Sequence, residues 1–189
     1  MLEAFVVSAA VVALAEIGDK TQLLALLLAA RFRRPLPIVL GILVATLVNH
    51  AGASLLGAWL TRVVEPQALR IGLGASFIAV AAWMLVPDRL DAPRSAHAGR
   101  LGVFGVTCVA FFLAEMGDKT QVATVILAAK YASPLVVTAA TTLGMLLANV
   151  PAVLLGDRVL SRLPGRWVHR IAAAGFALLG VGLLAGAGG

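Results

Sequence analysis

An eight-residue stretch, AEIGDKTQ at residues 15–22, returns 99 positions later as AEMGDKTQ at residues 114–121. Each copy lies inside a long apolar segment, and together they place four carboxylates and two lysines there. A single charged residue at the centre of a membrane helix costs roughly 2.5–3.5 kcal/mol. Both copies therefore need compensation, and their common spacing indicates that they compensate each other.

The composition is that of an integral membrane protein. Of the 189 residues, 61% are hydrophobic and 13% are charged, whereas a soluble domain has about 25% charged residues. The net charge of +6 does not indicate a nucleic-acid surface, because most arginines fall in short connections between apolar segments, where they act as topology signals. Cys108 is the only cysteine, which excludes an intrachain disulfide and a metal site built from several thiolates.

Six apolar segments reach the roughly 20 residues needed to cross a bilayer. Alternating strand patterns are absent, and helices satisfy their own backbone groups in lipid. The sequence therefore predicts an all-α integral membrane protein with six transmembrane helices. The segments are 4–30, 36–60, 68–86, 101–129, 134–156 and 167–187.

The repeat extends beyond the eight residues, since AARF at 29–32 returns as AAKY at 128–131. The chain thus reads as two three-helix units, 1–87 and 101–189, joined by a connecting loop at 88–100. Because three is odd, the second unit enters the membrane in the opposite orientation. Two inverted three-helix repeats are typical of transporters that bind substrate near the bilayer midplane.

Basic residues between the segments set the orientation. Ten arginines fall on the side of the 88–100 loop, against two arginines and one lysine on the other side. By the positive-inside rule the 88–100 loop is cytoplasmic and both termini lie outside. The expected location is the bacterial inner membrane, as a multi-pass protein.

The repeated stretch supplies oxygen ligands for a metal ion. In a continuous helix, Glu16 and Asp19 share one face, as do their counterparts in the second copy. Oxygen-rich sites without thiolates favour hard cations such as Ca²⁺, Mn²⁺ or Mg²⁺. The glycine in each copy allows either close helix approach or a local break. The candidate ligands are the acids Glu16, Asp19, Glu115 and Asp118, with Thr21, Thr120, Gln22 and Gln121.

Lys20 and Lys119 are expected to compensate charge, leaving a net of minus two for one divalent ion. An empty cluster of buried carboxylates takes up protons, which metal binding would expel, and this is the basis of a proton antiport cycle. Asn49 and Asn149 either complete the coordination or link helices by hydrogen bonds. His50 is either a proton relay or a structural histidine.

The pattern Glu-x-Gly-Asp-(Lys/Arg)-(Ser/Thr) is complete at residues 16–21 and again at 115–120. In this, the chain resembles the Gdt-type cation transporter family of the Golgi and the chloroplast, to which the bacterial manganese exporters of the MneA type belong. The resemblance covers essentially the whole chain. It implies transport of Mn²⁺ and/or Ca²⁺ in exchange for protons, with the motif acids binding the ion and no permanently bound cofactor.

The leading hypothesis is therefore a secondary transporter that exports a divalent cation, with Mn²⁺ favoured over Ca²⁺, in exchange for protons. A passive cation channel and a non-transporting membrane scaffold are the alternatives. Export of an organic cation fits poorly, since both motif lysines would repel it. No nucleophile–base pair or nucleotide motif indicates an enzyme. The expected partners are the divalent cation and the lipid bilayer, with a homo-oligomer left open and no nucleic acid.

Overall fold

The computed structural model describes residues 1–86, 101–155 and 165–186, and every regular element in these ranges is an α-helix. The predicted connecting loop at 88–100 lies outside the described residues. The helices are α1 (Leu2–Glu16), α2 (Lys20–Phe32), α3 (Pro35–Val63), α4 (Pro66–Met84), α5 (Gly102–Glu115), α6 (Lys119–Tyr131), α7 (Pro134–Leu155) and α8 (Gly165–Leu184).

Four of these helices are long and apolar enough to cross a membrane: α3, α4, α7 and the 167–184 part of α8. The predicted all-helical fold is thus confirmed in the described residues. The remaining four helices have 13 to 15 residues each, or roughly 20–23 Å at 1.5 Å per residue. Each alone is shorter than the hydrocarbon core of about 30 Å.

The predicted segments 4–30 and 101–129 are not continuous helices, because each is broken at its repeated stretch. The glycine at the break has a positive φ, +85° at Gly18 and +78° at Gly117. This region carries a steric penalty for residues with a Cβ, and glycine escapes it. Of the two roles considered for these glycines, the structure shows the break. The expectation that Glu16 and Asp19 share one helical face is therefore wrong.

Two backbone N–H groups in each break are hydrogen-bonded, which offsets the cost of irregular backbone inside an apolar segment. In both copies the glycine N–H donates to the amide oxygen of the glutamine four residues later. The aspartate N–H donates to the glutamate carbonyl oxygen three residues earlier. The distances are 2.7 Å for Gly18–Gln22 and for Gly117–Gln121, 3.1 Å for Asp19–Glu16 and 3.0 Å for Asp118–Glu115.

The two halves pack against each other in matching pairs of helices. Helix α3 of the first half packs against α5 and α6, and α7 of the second half packs against α1 and α2. Helices α3 and α7 also contact each other, as do α4 and α8, where the ring centroids of Phe77 and Phe176 lie 5.9 Å apart. Each broken pair is thus packed against the long helix that follows the other broken pair.

The break makes a prediction for Gly117. Adding a Cβ there meets no atom within 4 Å, so Gly117→Ala tests the backbone conformation alone, which should cost about 1–2 kcal/mol. The matched control is Gly52→Ala in α3, where a Cβ also meets nothing within 4 Å and alanine favours the helix. Thermal unfolding of the detergent-purified variants should show a lower Tm for Gly117→Ala only. Equal Tm values for the two variants would contradict the strained break.

Candidate metal centre

The four motif acids occupy helix ends that face one another across the two halves. Glu16 and Glu115 are the last residues of α1 and α5, whereas Asp19 and Asp118 are the N-cap residues of α2 and α6. At most 2% of the surface of any of them is exposed. Carboxylate oxygens of Glu16, Asp19 and Asp118 lie within 4.8 Å of one another. The structure therefore brings acids from both copies together.

The two lysines pair crosswise between the copies. The Nζ of Lys20 lies 2.7 Å from Oδ1 of Asp118, and the Nζ of Lys119 lies 2.9 Å from Oδ1 of Asp19. The side chain of Lys119 is 1% exposed and that of Lys20 is 25% exposed. The predicted charge compensation thus has a specific geometry in which each half neutralises an aspartate of the other.

The motif threonines lie beside the glutamates. The hydroxyl of Thr21 donates to Oε2 of Glu16. The hydroxyl of Thr120 lies 3.4 Å from Oε2 of Glu115 and 3.3 Å from Oδ2 of Asp118. These hydroxyls contact the carboxylates and help to orient them. The predicted role of the threonines as metal ligands stays a prediction.

The motif glutamines stabilise the breaks. The amide oxygens of Gln22 and Gln121 accept the glycine N–H bonds described above. The Nε2 of Gln22 also donates to the carbonyl oxygen of Ala148 in α7, at 2.9 Å, which ties the first break to the second half. The predicted role of the glutamines as metal ligands stays a prediction.

The two asparagines differ in what they contact. The Nδ2 of Asn49 donates to the carbonyl oxygen of Phe112, at 3.1 Å, and so links α3 to α5. The Nδ2 of Asn149 lies 3.0 Å from the carbonyl oxygen and from the Sδ of Met145, within its own helix. Its Oδ1 is buried and has no hydrogen-bond partner among the described residues. Asn49 thus forms the predicted link between helices, and Asn149 keeps an open acceptor.

Two histidines approach the breaks. His50 is fully buried in α3, with its Nε2 3.7 Å from Oε2 of Glu115. His169 in α8 has its Nε2 2.8 Å from the carbonyl oxygen of Ile17, and its N–H donates to this group that the break leaves outside the helix. Sequence reasoning found no signal for His169, which lies near the end of its apolar segment.

The charges of the cluster suit a divalent cation. Glu16 lies close enough to Glu115 and Asp118 for mutual repulsion. With every group ionised, the four acids and two lysines carry a net charge of minus two. Oxygen donors of this kind are the ligands that hard divalent cations take in proteins.

Comparison with known proteins agrees with this chemistry. A family model described as "Divalent cation/proton antiporter GDT1" matches residues 4–92 and 103–188. The chain belongs to this family. A relative from Vibrio cholerae serotype O1, described as "Putative manganese exporter", is 47% identical over 180 residues, which cover 95% of this chain and 89% of the relative. No solved structure matches the chain.

Membership of the GDT1 family confirms the resemblance drawn from the duplicated motif. The chain is a multi-pass membrane transporter of divalent cations, as the apolar helices and the buried acids together indicate. An antiporter family agrees with the leading hypothesis, whereas the passive channel and the scaffold have no support in that description.

The crossed ion pairs make a prediction for Lys20 and Asp118. Lys20→Met and Asp118→Asn should each destabilise the protein. The first removes the ion pair of the buried Asp118 carboxylate, and the second removes the same pair from the partly exposed Lys20. The double variant should lose less than the sum, with a coupling of about 1–3 kcal/mol in a double-mutant cycle of unfolding in detergent.

The control cycle combines Lys20→Met with Glu65→Gln. Glu65 is exposed at the start of α4, where its carboxylate accepts hydrogen bonds from the N–H groups of Gln67 and Ala68. These two changes should be additive. A Lys20–Asp118 cycle that is additive as well would show that the pair does not couple the two halves.

Proposed function

We propose that this protein exports Mn²⁺ from the bacterial cytoplasm across the inner membrane in exchange for protons, with Ca²⁺ as a second substrate. The observation that carries the proposal is the buried meeting of acids from both motif copies, with carboxylate oxygens of Glu16, Asp19 and Asp118 within 4.8 Å. The family description supports the exchange of a divalent cation for protons. The description of the 47% identical relative supports Mn²⁺.

The proposed architecture has six crossings arranged as two inverted three-helix repeats, 1–87 and 101–189. In each repeat the broken pair forms one crossing: α1 with α2, and α5 with α6. The 15 and 13 residues of α1 and α2 amount to roughly 42 Å of helix, which is enough for a core of about 30 Å. The matching contacts between the two halves support this arrangement.

In the proposed site, Glu16, Asp19, Glu115 and Asp118 bind the ion directly. Thr21 and Thr120 hold the carboxylates in place and offer their own oxygens. An amide oxygen of a glutamine or asparagine completes the coordination shell of the ion. The list of proposed ligands is then the one the sequence predicted, with Gln22, Gln121, Asn49 and Asn149 in these supporting positions.

The proposed cycle is an exchange of positive charges at one cluster. In the empty site the two lysines neutralise Asp118 and Asp19, and protons neutralise the remaining carboxylates, because burial and like charges penalise the ionised form. An incoming cation displaces these protons. Protons arriving from outside then favour release of the ion, and this returns the site to its empty form.

This proposal predicts the behaviour of charge-removing variants in proteoliposomes. With an imposed pH gradient, the wild-type protein should move radiolabelled Mn²⁺ with counter-movement of protons. Glu16→Gln and Asp118→Asn keep the side-chain shape but remove a charge and a proton site, so each should reduce Mn²⁺ flux at least about tenfold.

The control for these variants is Glu65→Gln, which removes an exposed carboxylate far from the motif in sequence and should keep wild-type flux. Mn²⁺ flux that does not depend on the pH gradient and is not accompanied by proton movement would support a channel instead. Full activity in both acid variants would contradict the shared site.

The inverted repeat predicts opposite labelling of two equivalent positions. Arg33 and Ala132 both follow a broken pair, are exposed and have positive φ values of 52° and 48°. In a Cys108→Ala background, Ala132→Cys should react with an impermeant thiol reagent in intact spheroplasts. Arg33→Cys should react only after the membrane is opened. Labelling of both from the same side would contradict inversion.

A further inference from the structure

His50 is a buried side chain whose polar atoms the fold leaves without hydrogen bonds. Its exposed fraction is zero, and neither ring nitrogen has a hydrogen-bond partner among the described residues. Leaving a buried polar group unsatisfied costs about 1–3 kcal/mol. A hydrophobic residue of similar size would fill the same space in α3 without that cost, so the imidazole is expected to make a further interaction when the site is occupied.

The carboxylate of Glu115 lies close to the His50 imidazole. The Nε2 of His50 lies 3.7 Å from Oε2 of Glu115, which is too long for a hydrogen bond. Two neighbouring ligands on an ion with bonds of about 2.1 Å are themselves about 3 Å apart. The imidazole and the carboxylate are therefore separated by little more than the distance that a shared metal ion imposes.

The repeat gives this position a counterpart with different chemistry. The 99-residue offset that aligns the two motifs aligns His50 with Asn149. Asn149 is also fully buried, and its Oδ1 also lacks a hydrogen-bond partner among the described residues. Its neighbour Ala148 accepts the hydrogen bond from Gln22 of the first motif. Equivalent positions of the two halves thus offer an open nitrogen on one side and an open oxygen on the other.

We propose that His50 is a ligand of the transported ion and makes the site prefer Mn²⁺ over Ca²⁺. This inference rests on the proposed function. Ca²⁺ takes oxygen ligands almost exclusively, whereas imidazole suits transition-metal ions. Mn²⁺ stands at the weak-binding end of the divalent transition-metal series. A single nitrogen among many oxygens therefore discriminates against Ca²⁺ while still allowing release of Mn²⁺.

The direct test is spectroscopic. Electron spin echo envelope modulation is measured on the purified full chain with substoichiometric Mn²⁺. The wild-type protein should show the modulation of an imidazole nitrogen bound to Mn²⁺. His50→Asn, which places asparagine at the equivalent positions of both halves, should lose that modulation although His97 and His169 remain. The matched control is Ser54→Ala, one turn further along α3. Its hydroxyl is also buried and also lacks a hydrogen-bond partner among the described residues. This variant should keep the modulation.

Selectivity is then measured in proteoliposomes as the Ca²⁺ concentration that halves Mn²⁺ flux. His50→Asn should lower the preference for Mn²⁺ at least about tenfold, while Ser54→Ala keeps it. A wild-type spectrum without nitrogen modulation overturns the inference even if His50→Asn does not fold. Unchanged selectivity in a folded His50→Asn overturns it as well. Absence of any cation flux in the wild-type protein would instead overturn the proposed function.

Discussion

The burial of four carboxylates is the constraint on which the rest of this structure depends. Two of these carboxylates are neutralised crosswise, with Lys20 paired to Asp118 and Lys119 paired to Asp19. Removing one partner of a buried pair costs several kcal/mol, so each half depends on the other for a counterion at its own aspartate. The ion pairs therefore link the two halves of the chain and hold acids of both motif copies close together.

The helix breaks give these acids their positions. Each break ends one helix on a glutamate and begins the next on an aspartate. A helix C-terminus carries partial negative charge. The helix ends at Glu16 and Glu115 therefore attract a cation, and in its absence they disfavour the ionised form of these carboxylates. Discontinuous helices whose ends and unwound carbonyls face an ion are a recurrent device in inverted-repeat transporters. In this chain, two glycines with positive φ and two glutamines that accept their N–H bonds make the breaks possible.

Much of this structure could be predicted from one sequence because the charged and polar residues of the motif are identical in both copies. The acids, their compensation by lysine and the all-helical membrane fold follow from burial cost and hydropathy alone. The breaks followed only as one of two roles open to the motif glycines, since hydropathy does not distinguish a glycine that breaks a helix from one that lets helices approach closely. The crosswise partner of each lysine did not follow, because it depends on how the halves dock. His169 binds a carbonyl that only the break exposes, so no pattern in its own segment points to it.

In the proposed cycle, one buried cluster exchanges protons for a divalent ion. The most direct measurement is isothermal titration calorimetry of Mn²⁺ binding to the detergent-purified protein, at one pH, in buffers of different ionisation enthalpy. If the ion displaces protons from the cluster, the observed binding enthalpy should change linearly with the ionisation enthalpy of the buffer. The slope should be negative, because the buffer takes up the protons, and its magnitude should equal the number of protons released. A binding enthalpy that is the same in every buffer would mean that no net proton leaves the site, and would contradict the exchange.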